Sequence, residues 1–172
     1  MSEPTYEFSL WNAVMESHPL TASSQTLLPK ILDRMAAHPE AGCVIALHRR
    51  KVVGIATHQD LIHAIAQDSK WHRTRLSQVM ARPAITVLMS DLPSDLKGVS
   101  RLLEEFAHHQ IHYLPVVDDR KHSIGLLNKA HLLQQLSSLS GTNHPVEAVN
   151  ATHSPTQRDE LHRQHQRAQL LA

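Results

Sequence analysis

The sequence predicts a mixed α/β protein built from two consecutive β-α-β-β-α repeats. Three observations predict this fold class. Residues 41–62 align without gaps on residues 112–133, with Gly54 placed on Gly125. Each copy carries one apolar stripe at helical spacing, and each carries two short apolar runs joined by a charged turn. Repeats of this length are supersecondary units that bury their apolar faces on one another.

Residues 6–16 favour a lead-in helix, in which Trp11 and Val14 are available to cover a sheet. Residues 140–155 are rich in Ser, Asn, Thr and Pro, and the helix formers after them have few apolar anchors. We therefore expect four segments: a lead-in helix in residues 1–16, a first repeat in 17–74, a second repeat in 75–139, and a linker with a C-terminal helix in 140–172.

The first repeat is expected to begin with a short extended piece at residues 20–21. An amphipathic helix follows, because apolar residues recur at helical spacing: Leu28, Ile31, Leu32 and Met35. The strand CVIAL, the charged turn HRRK and a second strand with Gly54 then indicate a hairpin. A final helix over residues 59–66 closes the unit.

The second repeat follows the same order, from an extended piece at residues 85–86 to a final helix over 129–136. Its amphipathic helix shows the same spacing: Val99, Leu102, Leu103 and Phe106. Its hairpin runs from YLPVV through the turn DDRKH to the strand with Gly125. The segment HPLTASS resembles RPAITVLM at a shorter offset, so the second copy carries about six extra residues near SDLPSD.

The composition argues against several classes of partner. A formal net charge of +1 gives no strong field for nucleic acid or an anionic membrane. Aromatic residues are only 3 %, and no apolar run approaches the ~20 residues of a membrane helix. No secretory signal is visible, and the one cysteine, Cys43, allows no intrachain disulfide. We expect a cytoplasmic protein that binds neither nucleic acid nor a membrane.

No catalytic or metal-binding motif is recognisable. The 15 histidines are scattered, and the local clusters HHQIH and HRQH supply too few converging ligands for a metal. There is no nucleophile elbow, Walker loop or zincin motif. We expect no metal, no cofactor and no enzymatic activity.

Thr57 and Asp60 mark the junction between the second strand and the last helix of the first repeat. Their spacing fits a capping box, which satisfies the free N–H groups of a first helical turn. It also suits a ligand, because a helix N-terminus attracts phosphate and a carboxylate accepts from two ribose hydroxyls. In the second repeat Asn128 remains a good helix cap, but His131 replaces the carboxylate.

The layout resembles a pair of cystathionine-β-synthase (CBS) domains, called a Bateman module, over roughly residues 17–139. The matching motifs are PLT at 19–21 and PAIT at 83–86, LPVV at 114–117, and the segment from Gly54 to Asp60. The resemblance implies that the repeats pack sheet to sheet about a pseudo-two-fold axis, with two clefts that commonly bind adenosine-containing ligands. It also implies a regulatory role and a homodimer.

The resemblance assigns candidate ligand residues in both copies. The first set is Leu20, Thr21, Cys43, Val44, Thr57, His58 and Asp60. The second set is Ile85, Thr86, Pro115, Asn128 and His131. We expect the second site to be weak or empty, because a histidine cannot offer two acceptor oxygens. The basic turn residues Arg49, Arg50 and Lys51 could reach phosphates or be solvated.

The function expected on this basis is regulatory sensing of an adenosine-containing nucleotide such as AMP, ADP, ATP or S-adenosylmethionine. The alternative is a ligand-free dimerisation or interaction scaffold of a larger signalling protein. We expect a homodimer formed through the helical faces, on the evidence of the two apolar stripes described above.

Overall fold

A computed structural model describes residues 7–139 of the chain, with side chains for residues 10–138. The linker and C-terminal helix expected in residues 140–172 lie outside the described residues. The helices are α1 (Glu7–Val14), α2 (Leu28–Ala37), α3 (His58–Gln67), α4 (Leu76–Val79), α5 (Leu96–His108) and α6 (Lys129–Leu139). The strands are β1 (Met15–Glu16), β2 (Thr21–Ser23), β3 (Cys43–His48), β4 (Lys51–Thr57), β5 (Val87–Leu88), β6 (Tyr113–Val117) and β7 (Ser123–Asn128). Short 3-10 turns cover Trp71–Arg73 and Met89–Asp91.

Two sheets confirm the predicted α/β fold with two β-α-β-β-α repeats. The first repeat forms a sheet in the order β2-β3-β4, and the second contributes β7-β6-β5 to a sheet that also contains β1. In both repeats the first strand runs parallel to the second, and the second and third form an antiparallel hairpin. Both hairpins shift register at equivalent places, between Ala46 and Leu47 and between Val116 and Val117.

Each sheet is extended by a segment that precedes the first strand of the other repeat. β1 lies before the first repeat, but it pairs antiparallel with β7 of the second, Glu16 opposite Leu126. Ala81 lies before β5, the first strand of the second repeat, but it bridges to Ile55 in β4 of the first. Backbone hydrogen bonds join Ala81 and Ile55 in both directions, at 2.8 and 3.2 Å. The lead-in predicted as helical over residues 6–16 is therefore helical only to Val14, because the next two residues are taken up by strand pairing.

Gly54 and Gly125 allow these segments to approach closely. A Cβ placed on Gly54 would lie 2.5 Å from the Met80 sulfur and 2.9 Å from the Ala81 carbonyl oxygen. A Cβ on Gly125 would lie 2.7 Å from the Met15 sulfur and 3.0 Å from the Glu16 carbonyl oxygen. The two glycines aligned in the sequence are thus needed for the same contact in both repeats.

The predicted apolar stripes face inward. Leu28, Ile31 and Met35 of α2 are buried in the core of the first repeat. In the second repeat Phe106 of α5 is fully buried with Val99 and Leu102: these residues pack under the sheet of their own repeat. Burial of one such side chain contributes about 1.5–3 kcal/mol. The stripes are therefore not available for a dimer interface. The prediction that they form such an interface was wrong.

A third core lies between the two sheets and joins the repeats. Cys43 and Ile45 of β3 pack with Leu126 of β7, and Tyr113 of β6 borders them. Alternation along β3 explains this, because Val44 and Ala46 point to the opposite face, toward the helices. The sheet-to-sheet packing expected from the resemblance is confirmed.

We predict that Gly54→Ala and Gly125→Ala each destabilise the protein by about 1–3 kcal/mol, because the added methyl group overlaps packed atoms. Chemical denaturation measures the change. Combining Gly54→Ala with Met80→Ala should recover only part of the loss, since the Ala81 carbonyl oxygen still obstructs the methyl group. An unchanged midpoint in both single variants would contradict the close approach.

Candidate functional site

Thr57 and Asp60 form a complete capping box at the start of α3. Asp60 Oδ2 accepts hydrogen bonds from the backbone N–H and from the hydroxyl of Thr57, both at 2.7 Å. The Thr57 hydroxyl in turn accepts from the Asp60 N–H at 3.4 Å. Thr57 is the helix cap, with an extended backbone. The structural role predicted from the spacing is confirmed.

The capping box leaves part of the Asp60 carboxylate available. Among the described residues no donor bonds to Asp60 Oδ1, and the side chain is only half-buried. The Thr57 hydroxyl donates its one O–H group in the hydrogen bond to Asp60, so in this arrangement it can only accept a hydrogen bond from a ligand. This arrangement can accept a hydrogen bond from a ligand hydroxyl through Oδ1, at the positive end of a helix.

The other candidate residues of the first repeat lie at the same end of the sheet, where β2 and β3 begin and β4 ends. Leu20 and Thr21 stand at the start of β2, Cys43 opens β3, and Thr57 closes β4 opposite Cys43. Leu20, Cys43 and Val44 are buried, so their side chains are not accessible to a ligand. Thr21 is half-buried and His58 is exposed.

The Cys43 thiol is unreactive. Burial, and after it the nearby charge of Glu16, raises the pKa of Cys43 to about 12. Burial also raises the pKa of the Tyr113 hydroxyl, with further contributions from Cys43 and Glu16. The thiol therefore stays protonated at neutral pH, and it is neither a nucleophile nor a metal ligand there.

Tyr113 of the second repeat lies directly on Gly42 of the first, and the sequence analysis missed this contact. The phenol oxygen and ring fill the space where a side chain at position 42 would begin. Gly42 and Tyr113 are equivalent residues of the two repeats in the sequence alignment. The two repeats therefore differ in packing at this position. The alignment juxtaposed a glycine with a tyrosine, but it gave no indication that the two residues touch.

The candidate residues of the second repeat keep the helix cap but include no carboxylate. Asn128 Oδ1 accepts from the Ala130 N–H at 2.9 Å, so the cap is kept. His131 is exposed. Pro115 is fully buried, Ile85 is exposed and Thr86 is half-buried.

The register of the second repeat differs slightly from the sequence alignment. The strand at its start is β5, and Val87 pairs with Val116 as Thr21 pairs with Ile45. Val87, not the aligned Thr86, therefore occupies the place of Thr21.

The basic turn of the first repeat lies far from Thr57. Arg49 and Arg50 connect β3 to β4 at one end of these strands. Thr57 lies at the opposite end of β4. Lys51 and Thr57 are six residue steps apart along the strand, or about 20 Å. Of the two roles left open for these residues, the structure excludes contact with phosphates bound at Thr57.

The described part of the chain contains no group of three His, Cys, Asp or Glu side chains that could hold a metal ion. Within the same residues, no helix is both long enough and apolar enough to span a bilayer.

A family model for the CBS domain matches the chain twice, over residues 11–67 and 76–138. A search of curated proteins found no match.

Solved structures of CBS domain pairs share the fold. The pair of protein MJ0100, in complex with 5′-methylthioadenosine and S-adenosyl-L-methionine, has a TM-score of 0.61 and 21 % identity, covering 73 % of this chain and 94 % of that chain. A CBS domain-containing protein from Thermotoga maritima has a TM-score of 0.61 and 19 % identity, covering 84 % and 100 %. The cytosolic domain of the Mg²⁺ channel MgtE, in complex with ATP, has a TM-score of 0.56 and 19 % identity, covering 71 % and 46 %. The two family matches and the common fold lead to one conclusion: the chain belongs to the CBS domain family and contains a tandem pair of these domains.

Proposed function

We propose that the pair is a cytoplasmic, non-catalytic regulatory module that binds one adenosine-containing ligand at the edge marked by Thr57 and Asp60. The observation that carries the proposal is the carboxylate of Asp60. One of its oxygens holds Thr57, and the other is left to accept from a ribose hydroxyl. The ligands in the structures of the MJ0100 pair and the MgtE domain contain adenosine, which supports this class of ligand.

The ligand sits mainly at the first repeat because the two copies differ in one charge. Asp60 supplies a carboxylate there, and the equivalent residue of the second repeat is His131. A neutral imidazole carries no negative charge, so it cannot make the charge-assisted hydrogen bond that the free Oδ1 of a carboxylate can make. The second set of candidate residues then forms a weak site or none.

A ligand-free scaffold is the second candidate function. The capping box alone accounts for the presence of Thr57 and Asp60, without any ligand. The scaffold would use the same fold to dimerise or to hold a partner. Only binding measurements separate the two functions, because both need an intact α3.

We predict that titration calorimetry with AMP, ATP or S-adenosylmethionine shows about one tight site per chain for the preferred ligand. Asp60→Asn should weaken it roughly ten- to a hundredfold, since a charge-assisted hydrogen bond contributes about 1.5–3 kcal/mol. The asparagine oxygen can still accept from Thr57, so the melting temperature should change little. Asp60→Ala should lose both the ligand and about 1 kcal/mol of stability.

Asp95→Asn is the matched control for Asp60→Asn. Asp95 caps α5 by accepting from the Gly98 N–H at 2.7 Å, so this variant removes the same charge from another helix cap. Its affinity should equal that of the parent. Parental affinity in Asp60→Asn would reject the ribose role, and absence of binding by every adenine ligand would favour the scaffold.

His131→Asp should create or strengthen a second site, because it restores the acidic residue three positions after the cap. The calorimetric stoichiometry should move from about one toward about two on this argument. His131→Asn, which adds no charge, is the control. A stoichiometry unchanged in His131→Asp would show that position 131 does not decide the asymmetry.

We further propose a homodimer that uses α3 and α6. Ile62 and Leu133 are equivalent residues of the two repeats, and they remain 65 % and 44 % exposed. We predict that Ile62→Glu combined with Leu133→Glu yields a monomer in analytical ultracentrifugation, because charge in an apolar contact is costly. Leu96→Glu on α5 should stay dimeric, although Leu96 is 71 % exposed. A parent protein that is already monomeric at micromolar concentration would reject the dimer.

A further inference from the structure

The two hairpin turns lie side by side at the edge of the pair opposite Thr57. Lys51 and His122, equivalent residues of the two repeats, form an isolated bridge. The Val52 N–H donates to the Lys121 carbonyl oxygen at 2.9 Å. This pairing gathers basic side chains from two distant stretches of the chain into one surface, called here the basic edge: Arg49, Arg50, Lys51, Arg120 and Lys121.

The basic edge carries charge that no carboxylate neutralises directly. All five side chains are exposed. Over the described residues, the ion pairs with carboxylates are made by histidines, and none involves Lys or Arg. Asp118 is the nearest carboxylate that makes contacts, and it is directed at the backbone: it accepts from the N–H groups of Arg120 at 2.9 Å and His122 at 2.7 Å. Its second oxygen meets the His122 ring at 3.0 Å.

The backbone of these turns makes the choice of residues unusual. Arg49 and Arg50 have φ of 49° and 68°, and Lys121 has φ of 67°. Tight hairpin turns with positive φ favour Gly, Asn or Asp, because a longer side chain is strained there. All three positions carry a long cation instead. The long cationic side chains at these positions therefore lower the stability of the turns. Strained backbone residues of this kind cluster at functional sites.

We propose that the basic edge is an electrostatic docking surface for the phosphate headgroups of an anionic bilayer. Each Lys or Arg near an anionic lipid surface contributes about 1 kcal/mol of attraction, and guanidinium groups pair well with phosphate. The five residues include no aromatic ring on which the bases of single-stranded nucleic acid would stack. They also include no apolar side chain to anchor a peptide.

The proposal departs from the expectation that the net charge of +1 argues against a membrane. That value averages the whole chain, whereas charges act over about 10 Å at moderate salt. The basic edge itself combines five cations with the two carboxylates of its second turn, Asp118 and Asp119. It lies about 20 Å from Thr57, so docking leaves the proposed ligand edge free, and the two proposals can be tested separately.

The test is sedimentation of the full chain with vesicles of phosphatidylcholine alone or mixed equally with phosphatidylglycerol, at low salt. The parent should bind only the mixed vesicles and dissociate at high salt. The double variant Arg49→Asn, Arg50→Gly should bind roughly thirtyfold more weakly. Its melting temperature should be equal or higher, because Asn-Gly suits this turn. Loss of binding in a protein that is no less stable cannot be attributed to misfolding.

Two further variants complete the experiment. Arg49→Lys with Arg50→Lys keeps the charge and should keep most of the binding. Arg34→Gln with Arg101→Gln removes the same charge from exposed positions of α2 and α5 and should bind as the parent does. The proposal is overturned if the parent shows no preference for anionic vesicles, if the Asn-Gly variant binds equally well, or if the α2 and α5 control loses as much. It is also overturned if the basic edge binds single-stranded or duplex nucleic acid more tightly than vesicles at the same salt.

Discussion

Close backbone contact at Gly54 and Gly125 is the constraint on which the arrangement of the pair depends. Met80 and Ala81 pass over one glycine, and Met15 and Glu16 pass over the other. Each sheet is thereby extended by a segment that precedes the first strand of the other repeat, so neither sheet is completed by its own hairpin and first strand alone. This exchange orients the sheets for the shared core around Ile45 and Leu126.

The elements with a strong period were predictable, and those set by tertiary pairing were not. The hairpins and the helices with Leu28 and Phe106 followed from apolar alternation and helical spacing. A two-residue strand such as β1 has no period, and it is extended only because β7 pairs with it. For the same reason the extended piece expected at residues 85–86 lies at Val87–Leu88, where Val87 pairs with Val116. The sequence also could not show that each apolar stripe would be buried in the core of its own repeat.

The candidate site was predictable where its geometry is local. The spacing of Thr57 and Asp60 within one helical turn was enough to predict the capping box. The contact of Tyr113 with Gly42 joins residues far apart in the chain, and it depends on how the two sheets pack. The burial of Cys43 depends on the same packing, because its side chain points to the other sheet. Local spacing predicts the polar atoms of the site, whereas the packing around them comes from the pairing of the repeats.

The two repeats share a backbone plan and differ at side chains near the axis that relates them. At the ligand edge, position 42 is glycine where its equivalent is Tyr113, and Asp60 is matched by His131. At the opposite edge, Val52 is matched by Ser123, whose buried hydroxyl has no hydrogen-bond partner among the described residues. An unsatisfied buried hydroxyl costs about 1–3 kcal/mol, so this difference does not serve stability. The features that both repeats share, such as the two glycines and the two helix caps, are those that the fold requires. The departures are where the two copies can differ in function.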